Sequence, residues 1–88
     1  MGKLEKRIRK LVSQPNNGDY EELRYVLLGI GCSERMGGKG SHVIFTHQKA
    51  EISITVPIQK PLRRSYVLNV IKLFGLKETY DEIIGRLS

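Results

Sequence analysis

Cysteine is scarce in this chain of 88 residues, and long apolar runs are absent. Because Cys32 is the only cysteine, no intrachain disulfide and no zinc site with several thiolate ligands can form. The apolar runs are far shorter than the ~20 residues with which a helix crosses a bilayer. We therefore expect a soluble domain in a reducing cytoplasm, with Cys32 as a small buried apolar residue.

The chain is also short, and its first residues carry no targeting signal. Its 88 residues fall below the ~100 to 150 residues of a usual domain, which predicts a single domain over 1–88. The segment Met1–Lys6 lacks the apolar core of a signal peptide, and Lys6 stands where a myristoylation signal has serine or threonine. We expect neither export nor a lipid anchor.

Acidic residues are outnumbered, since the chain has 9 Asp and Glu but 15 Lys and Arg, which gives a net charge of +6. Such an excess favours a polyanionic partner. The pair Arg63 and Arg64 forms one basic cluster, and the first dozen residues form another. This second cluster contains Lys3, Lys6, Arg7, Arg9 and Lys10. A solvated basic surface explains the charge as well as nucleic-acid binding does, so charge alone leaves both interpretations open.

Two helices are predicted in the first part of the chain. The first is basic and ends at Pro15–Gly18, whereas the second begins at an acidic capping box formed by Asp19 and Glu22. Gly31 stands where a left-handed residue closes the second helix. The apolar stripes that define these helices are Leu4, Ile8, Leu11 and Val12, followed by Leu23, Val26, Leu27 and Ile30.

Three strands are predicted in the middle, and two more helices follow them. The strands are Ser33–Met36, His42–Thr46 and Ile52–Val56. A glycine-rich turn, Gly37–Gly40, separates the first and second strands. The segment His47–Glu51 joins the second and third strands as a hairpin loop. Pro57 and Pro61 then end the sheet. The third helix ends at Gly75. The last apolar stripes are Val67, Val70, Ile71 and Phe74, followed by Tyr80, Ile83, Ile84 and Leu87.

This order, α-α-β-β-β-α-α, predicts an α+β domain in which helices cover one face of a three-stranded antiparallel sheet. Strand alternation places Ile52, Ile54 and Val56 on the covered face, where Val43 and Phe45 join them. His42 and Ile44 then point to the open face.

The turn Gly37–Gly40 is not a nucleotide-binding loop, because that motif needs glycine at the position of Ser33 and serine or threonine at the position of Gly40. Its exposed backbone N–H groups, together with Lys39, could still hold a phosphodiester. A plain turn accounts for these residues equally well.

The only two histidines, His42 and His47, are expected to point to opposite faces, and no carboxylate clusters with them. We therefore expect no metal ion and no other cofactor. An isolated histidine is usually an ordinary surface residue, but His42 follows Gly40 and Ser41 at a strand start beside Lys39. Its imidazole could take a proton from a ribose 2′-hydroxyl, which RNA has and DNA lacks.

The stretch Asp19–Leu76 closely resembles the HicA toxin family of toxin-antitoxin systems. The resemblance is carried by Gly40–Phe45 (GSHVIF), Ile54–Pro57 (ITVP) and Phe74–Leu76 (FGL). It implies a bacterial or archaeal endoribonuclease with a fold like a double-stranded-RNA-binding domain, silenced by a HicB antitoxin in a hetero-oligomer. The core is then 19–76, with a basic helical extension over 1–18 and a second helical extension over 77–88.

Carried over residue by residue, the resemblance makes His42 catalytic. Gly40 and Ser41 form the turn that presents it, and Lys39 occupies a basic position before them. Gln59 stands where many relatives have a second histidine, so the acid-base partner of His42 is not identified. Three arginines are expected to support RNA binding or the transition state, namely Arg35, Arg63 and Arg64.

Three hypotheses follow for the function. The leading one is a metal-independent mRNA endoribonuclease in which His42 acts on the 2′-hydroxyl and produces a 2′,3′-cyclic phosphate. The alternative is a non-catalytic RNA-binding module that uses the same surface. A protein-interaction domain built on the apolar helices is the third, and it is compatible with the first because an antitoxin that covers His42 would silence the enzyme.

Overall fold

The computed structural model describes residues 2–38 and 40–88. Within them, four α-helices and three β-strands follow the predicted order. The elements are α1 (Lys3–Ser13), α2 (Tyr20–Gly29), β1 (Ser33–Met36), β2 (His42–His47), β3 (Ile52–Pro57), α3 (Arg64–Phe74) and α4 (Tyr80–Leu87), with a 3-10 turn at Pro15–Asn17. None of these helices combines the length and the apolar composition that crossing a membrane requires.

The sheet is antiparallel with strand order β1-β2-β3, and its register confirms the predicted faces. Val43 pairs with Val56 and Phe45 pairs with Ile54, and these side chains lie on the face that the helices cover. His42 is exposed on the opposite face. An open three-stranded antiparallel sheet with helices on one face is consistent with a double-stranded-RNA-binding-domain-like fold.

Apolar side chains of all four helices form one core with the sheet, which confirms the predicted stripes except at Ile84, which is half-buried and lies outside the core. The buried helical positions, together with Ile30 at the end of α2, are Ile8, Leu11, Tyr20, Leu23, Val26, Leu27, Ile30, Val67, Val70, Ile71, Phe74, Ile83 and Leu87. Helix α1 packs on α2 and α3. Tyr20 at the start of α2 lies over Phe45 of the sheet, with 6.3 Å between the ring centroids. Removing this apolar surface from water is the main stabilising term of a domain this small.

The helix ends match the predicted signals, with one correction. Asp19 caps α2, since its Oδ1 accepts a hydrogen bond from the Glu22 N–H at 2.9 Å. The predicted capping box was wrong in its second half, because the Glu22 carboxylate accepts from Lys10 Nζ at 3.0 Å instead. Gly31 has φ +109° and Gly75 has φ +62°, so both occupy the conformation that favours glycine.

The hairpin connection is shorter than predicted, because His47 belongs to β2 and pairs with Ile52. The loop is therefore 48–51, and its last residue, Glu51, has φ +57°. Because His47 is polar, the sequence predicted that it belongs to the loop. Its ring is instead buried and hydrogen-bonded to the Ile30 carbonyl. Tertiary packing thus extends the strand by one residue.

Cys32 lies between α2 and β1 and is only 7% exposed, which confirms the expected small buried residue. Burial raises the pKa of its thiol to about 11. The thiolate is the reactive form of cysteine, so this side chain is poorly suited to nucleophilic chemistry near neutral pH.

Replacing Gly31 by alanine should lower the free energy of unfolding by about 1–3 kcal/mol. The new side chain would occupy an unfavourable φ, and its Cβ would lie 3.1 Å from Nε2 of His47. Gly85→Ala is the matched control, because its Cβ meets nothing within 4 Å inside α4. We expect that control to gain about 0.5–1 kcal/mol in urea denaturation. A Gly31→Ala protein as stable as the parent would contradict the account.

Candidate functional site

His42 is the first residue of β2, and backbone hydrogen bonds hold the chain on both sides of it. The Gly37 N–H donates to the His42 carbonyl at 2.8 Å, and the Ile58 N–H donates to the Ser41 carbonyl at 2.9 Å. Both neighbouring strands therefore fix the backbone that carries the ring. The His42 side chain itself is exposed on the open face, so an ordered backbone presents a solvent-accessible imidazole.

The Ser41 hydroxyl is the hydrogen-bond partner of the His42 ring, with Oγ 3.2 Å from Nδ1. A hydroxyl can donate or accept, so this contact is compatible with either neutral tautomer and with the imidazolium. Nε2 has no hydrogen-bond partner among residues 2–38 and 40–88. This nitrogen can therefore form a hydrogen bond with another molecule.

Two glycines shape the turn before His42. Gly40 has φ +72°, and its N–H donates to the Gly37 carbonyl at 3.3 Å, so the chain reverses tightly here. A Cβ on Gly37 would approach the His42 carbonyl oxygen to 3.2 Å, which means that this close strand pairing favours glycine. The turn predicted from the sequence is therefore present. Lys39, for which a phosphate-binding role was predicted, lies outside the residues that the structure describes.

Arg35 of β1 pairs with Ile44 of β2, so its side chain lies on the same open face as that of His42. Diagonal neighbours in an antiparallel sheet lie about 7–8 Å apart at Cα, within reach of a long side chain. Arg35 is exposed, and in the described part of the chain its guanidinium group has no ion-pair partner. The register thus makes Arg35 and His42 diagonal neighbours on the open face of the sheet.

Arg63 and Arg64 lie at the N-terminal end of α3, beyond the short connection that follows β3. The Tyr20 N–H donates to the Gln59 carbonyl at 3.3 Å, and the Leu62 N–H donates to the Gly18 carbonyl at 3.1 Å. These bonds hold the connection against the start of α2. The two arginines follow this connection, and neither contacts His42 through a described hydrogen bond.

Gln59 lies two residues beyond Pro57, which is the pairing partner of His42. Its side chain is exposed. An amide does not exchange protons near neutral pH, so Gln59 cannot serve as the acid-base partner of His42. Gln59 therefore follows the strand that pairs with His42, but the acid-base partner of His42 is not identified at this position.

His47 plays a structural role on the covered face, where it is 2% exposed. The Ala50 N–H donates to Nδ1 at 3.1 Å, so Nε2 carries the ring proton and donates to the Ile30 carbonyl at 2.9 Å. The two histidines therefore point to opposite faces, as predicted. In residues 2–38 and 40–88, no three side chains of His, Cys, Asp or Glu cluster as metal ligands.

An apolar groove at the edge of the helix-covered face was missed by the sequence prediction, and it lies on the side of the sheet opposite to the His42 ring. Met36 is 58% exposed and Ile58 is 47% exposed, and both line this groove together with Tyr20. Arg24 of α2 closes it by donating two hydrogen bonds of 2.7 Å to the Glu34 carboxylate of β1, which lower the pKa of that carboxyl. The alternation of Glu34 and Met36 along β1 was the signal that could have revealed it.

Comparison with protein families gives a match. A family model described as HicA toxin of bacterial toxin-antitoxin matches residues 20–76, which is more than half of the chain. No curated protein and no solved structure shows significant similarity. The matched segment runs from α2 to the end of α3 and contains every site residue discussed above, whereas α1 and α4 lie outside it.

The two histidines should differ sharply in their effect on stability. His47→Ala removes two hydrogen bonds and leaves a cavity beside Phe74, so we expect the free energy of unfolding to fall by about 2–4 kcal/mol. His42→Ala removes an exposed ring and should change it by less than about 0.5 kcal/mol. Urea denaturation of both variants checks this assignment. A large loss from His42→Ala would mean that the ring supports the fold.

Proposed function

This chain belongs to the HicA toxin family of bacterial toxin-antitoxin systems, and we propose that it is a metal-independent endoribonuclease that cleaves mRNA with His42. Its toxin role follows from the family. One observation carries the catalytic assignment, namely that the exposed His42 ring is bound at Nδ1 by Ser41 and open at Nε2. Arg35 on the same face adds a cation suited to phosphate binding.

The proposed reaction begins when Nε2 of His42 takes the proton of a ribose 2′-hydroxyl. The resulting oxygen attacks the adjacent phosphorus and forms a new P–O2′ bond, while the P–O5′ bond breaks. The leaving 5′ oxygen then receives a proton. The products are a 2′,3′-cyclic phosphate and a 5′-hydroxyl end, and no external oxidant, metal ion or water is consumed in this step.

The Ser41 contact orients the ring for the first proton transfer. With Nδ1–H donated to the Ser41 hydroxyl, the lone pair of Nε2 faces the substrate as a base. The leaving 5′ oxygen lies on the opposite side of the phosphorus and takes its proton from solvent water, and the imidazolium later returns its proton to solvent. Ser41 is therefore proposed as a positioning residue.

Cations around the turn are proposed to bind the phosphate groups and to stabilise the charge that develops on phosphorus. Arg35 is a diagonal neighbour of the histidine by register, and Arg63 and Arg64 at the start of α3 are proposed as further phosphate-binding cations. A guanidinium group offers paired donors that match phosphate oxygens. The sequence also supports a phosphate-binding role for Lys39.

A toxin of this family has an antitoxin partner, and we propose a HicB-like protein that covers His42. The exposed side chains of Met36 and Ile58 lie on the helix side of the same strand ends, and they would supply an apolar centre for an antitoxin interface that wraps around this edge of the sheet. Hydrogen exchange of the backbone over 36–44 should slow when the antitoxin binds. Unchanged exchange in this segment would contradict the placement.

His42→Ala should reduce RNA cleavage by at least about 100-fold, because it removes the general base. The parent protein should remain active in excess chelator. Gel analysis of end-labelled RNA measures the cleavage rate of the variant and that of the parent in chelator. The RNA affinity of the variant should stay within about threefold of that of the parent.

Cleavage that persists in His42→Ala, or that stops in chelator, would overturn the assignment. A parent protein that binds RNA without cutting it would instead support the non-catalytic RNA-binding module.

Ser41→Ala should lower the cleavage rate by about 10-fold, less than the loss from His42→Ala, since the ring keeps its place in β2 and loses only its Nδ1 partner. Ser41→Thr retains a hydroxyl and should recover most of the rate. The two variants should have equal stability within about 0.5 kcal/mol. Equal rates for the alanine and threonine variants would show that the hydroxyl does not position His42.

A further inference from the structure

A second basic surface lies where α1 packs on the C-terminal half of α2. Lys3 Nζ lies 5.4 Å and Arg7 Cζ lies 5.2 Å from the centroid of the Tyr25 ring. Lys6 lies on the same side of α1, since residues three and four apart in a helix are neighbours. These four residues are called the α1 basic surface below. The three cations lie outside the segment that the family model matches.

The charges of the α1 basic surface are unfavourable for folding. Lys3, Lys6 and Arg7 are like charges within one helical turn, and they lie near the helix N-terminus, whose dipole disfavours cations. None of the three forms an ion pair within the described ranges, whereas the adjacent Arg9 and Lys10 pair with carboxylates of the chain. An external anion would compensate the three unpaired charges.

Tyr25 prepares this surface for a ligand. The negative face of an aromatic ring attracts cations, so Tyr25 holds Lys3 and Arg7 near each other before any ligand binds. Side chains that are already restrained lose less freedom on binding. Tyr25 is 36% exposed, so its surroundings remain accessible.

The α1 basic surface is separate from His42. The helices cover one face of the sheet and His42 lies on the other. Along α2, Tyr25 stands five residues, or about 7–8 Å, beyond Tyr20, whose N–H donates to the Gln59 carbonyl in the connection after β3. A phosphate at His42 therefore cannot be the anion that the α1 basic surface holds.

We propose that the α1 basic surface binds the sugar-phosphate backbone of RNA that flanks the cleaved bond, without sequence preference. This inference rests on the proposed function only in that its ligand is the same RNA. Lysine is depleted at protein interfaces, whereas lysine and arginine provide most phosphate contacts, so the composition of the surface favours RNA over a protein.

The test measures RNA binding by fluorescence anisotropy in the full chain carrying His42→Ala, which prevents cleavage. Lys3→Gln with Arg7→Gln should weaken binding of a 30-nucleotide RNA by about 10-fold, and the slope of log affinity against log salt should become shallower by about 1.4, as two lost phosphate contacts require. The matched control is Lys72→Gln with Lys77→Gln, which removes the same charge from exposed positions elsewhere. The control should change affinity by less than about threefold.

RNA length separates this inference from the proposed function. In the chain that retains His42, the Lys3 and Arg7 substitutions should slow cleavage of a 30-nucleotide RNA more than cleavage of a 6-nucleotide RNA. Affinity equal to that of the control pair would overturn the inference while leaving catalysis by His42 intact. Loss of antitoxin binding without loss of RNA binding would also overturn it, in favour of an acidic protein. If the parent binds RNA but does not cut it, the affinities of the Lys3 and Arg7 variant and of the control pair still test the inference.

Discussion

The pairing of β2 with β3 is the constraint on which the site depends. This register buries Val43, Phe45 and His47 against the helices and leaves His42 on the opposite face. A slip by one residue would expose Phe45, which is fully buried, and turn His42 into the core. The hydrophobic core therefore fixes the direction in which the candidate catalytic ring points, and fold stability and site geometry share one cause.

Much of the fold could be predicted because its signals are local. The apolar stripes of the helices, the alternation of β3, and the glycines at positions 31 and 75 each depend on residues a few positions apart. His47 shows the limit of such signals. Its place in β2 depends on the Ile30 carbonyl and the Ala50 N–H, and the first of these comes from a distant part of the chain.

The candidate site also has one part that local sequence predicts and another part that depends on tertiary packing. Gly40, Ser41 and His42 are consecutive, so their turn could be predicted from the sequence, and the structure adds the hydroxyl contact to Nδ1. The groove beside Met36 depends on the pairing of β1 with β2 and on an ion pair between α2 and β1. The α1 basic surface likewise depends on how two helices pack. Such arrangements of residues distant in sequence have no single-segment signature.

The central claim is that His42 acts on the ribose 2′-hydroxyl of RNA. Single-turnover cleavage of an RNA with one 2′-deoxynucleotide at the cut position tests it most directly, compared with the unmodified RNA. The account predicts that the modified RNA binds with similar affinity and is not cut at that position, while the unmodified RNA yields a 2′,3′-cyclic phosphate. Equal cleavage of both RNAs would contradict the claim, because the attacking oxygen would then not be the 2′-hydroxyl.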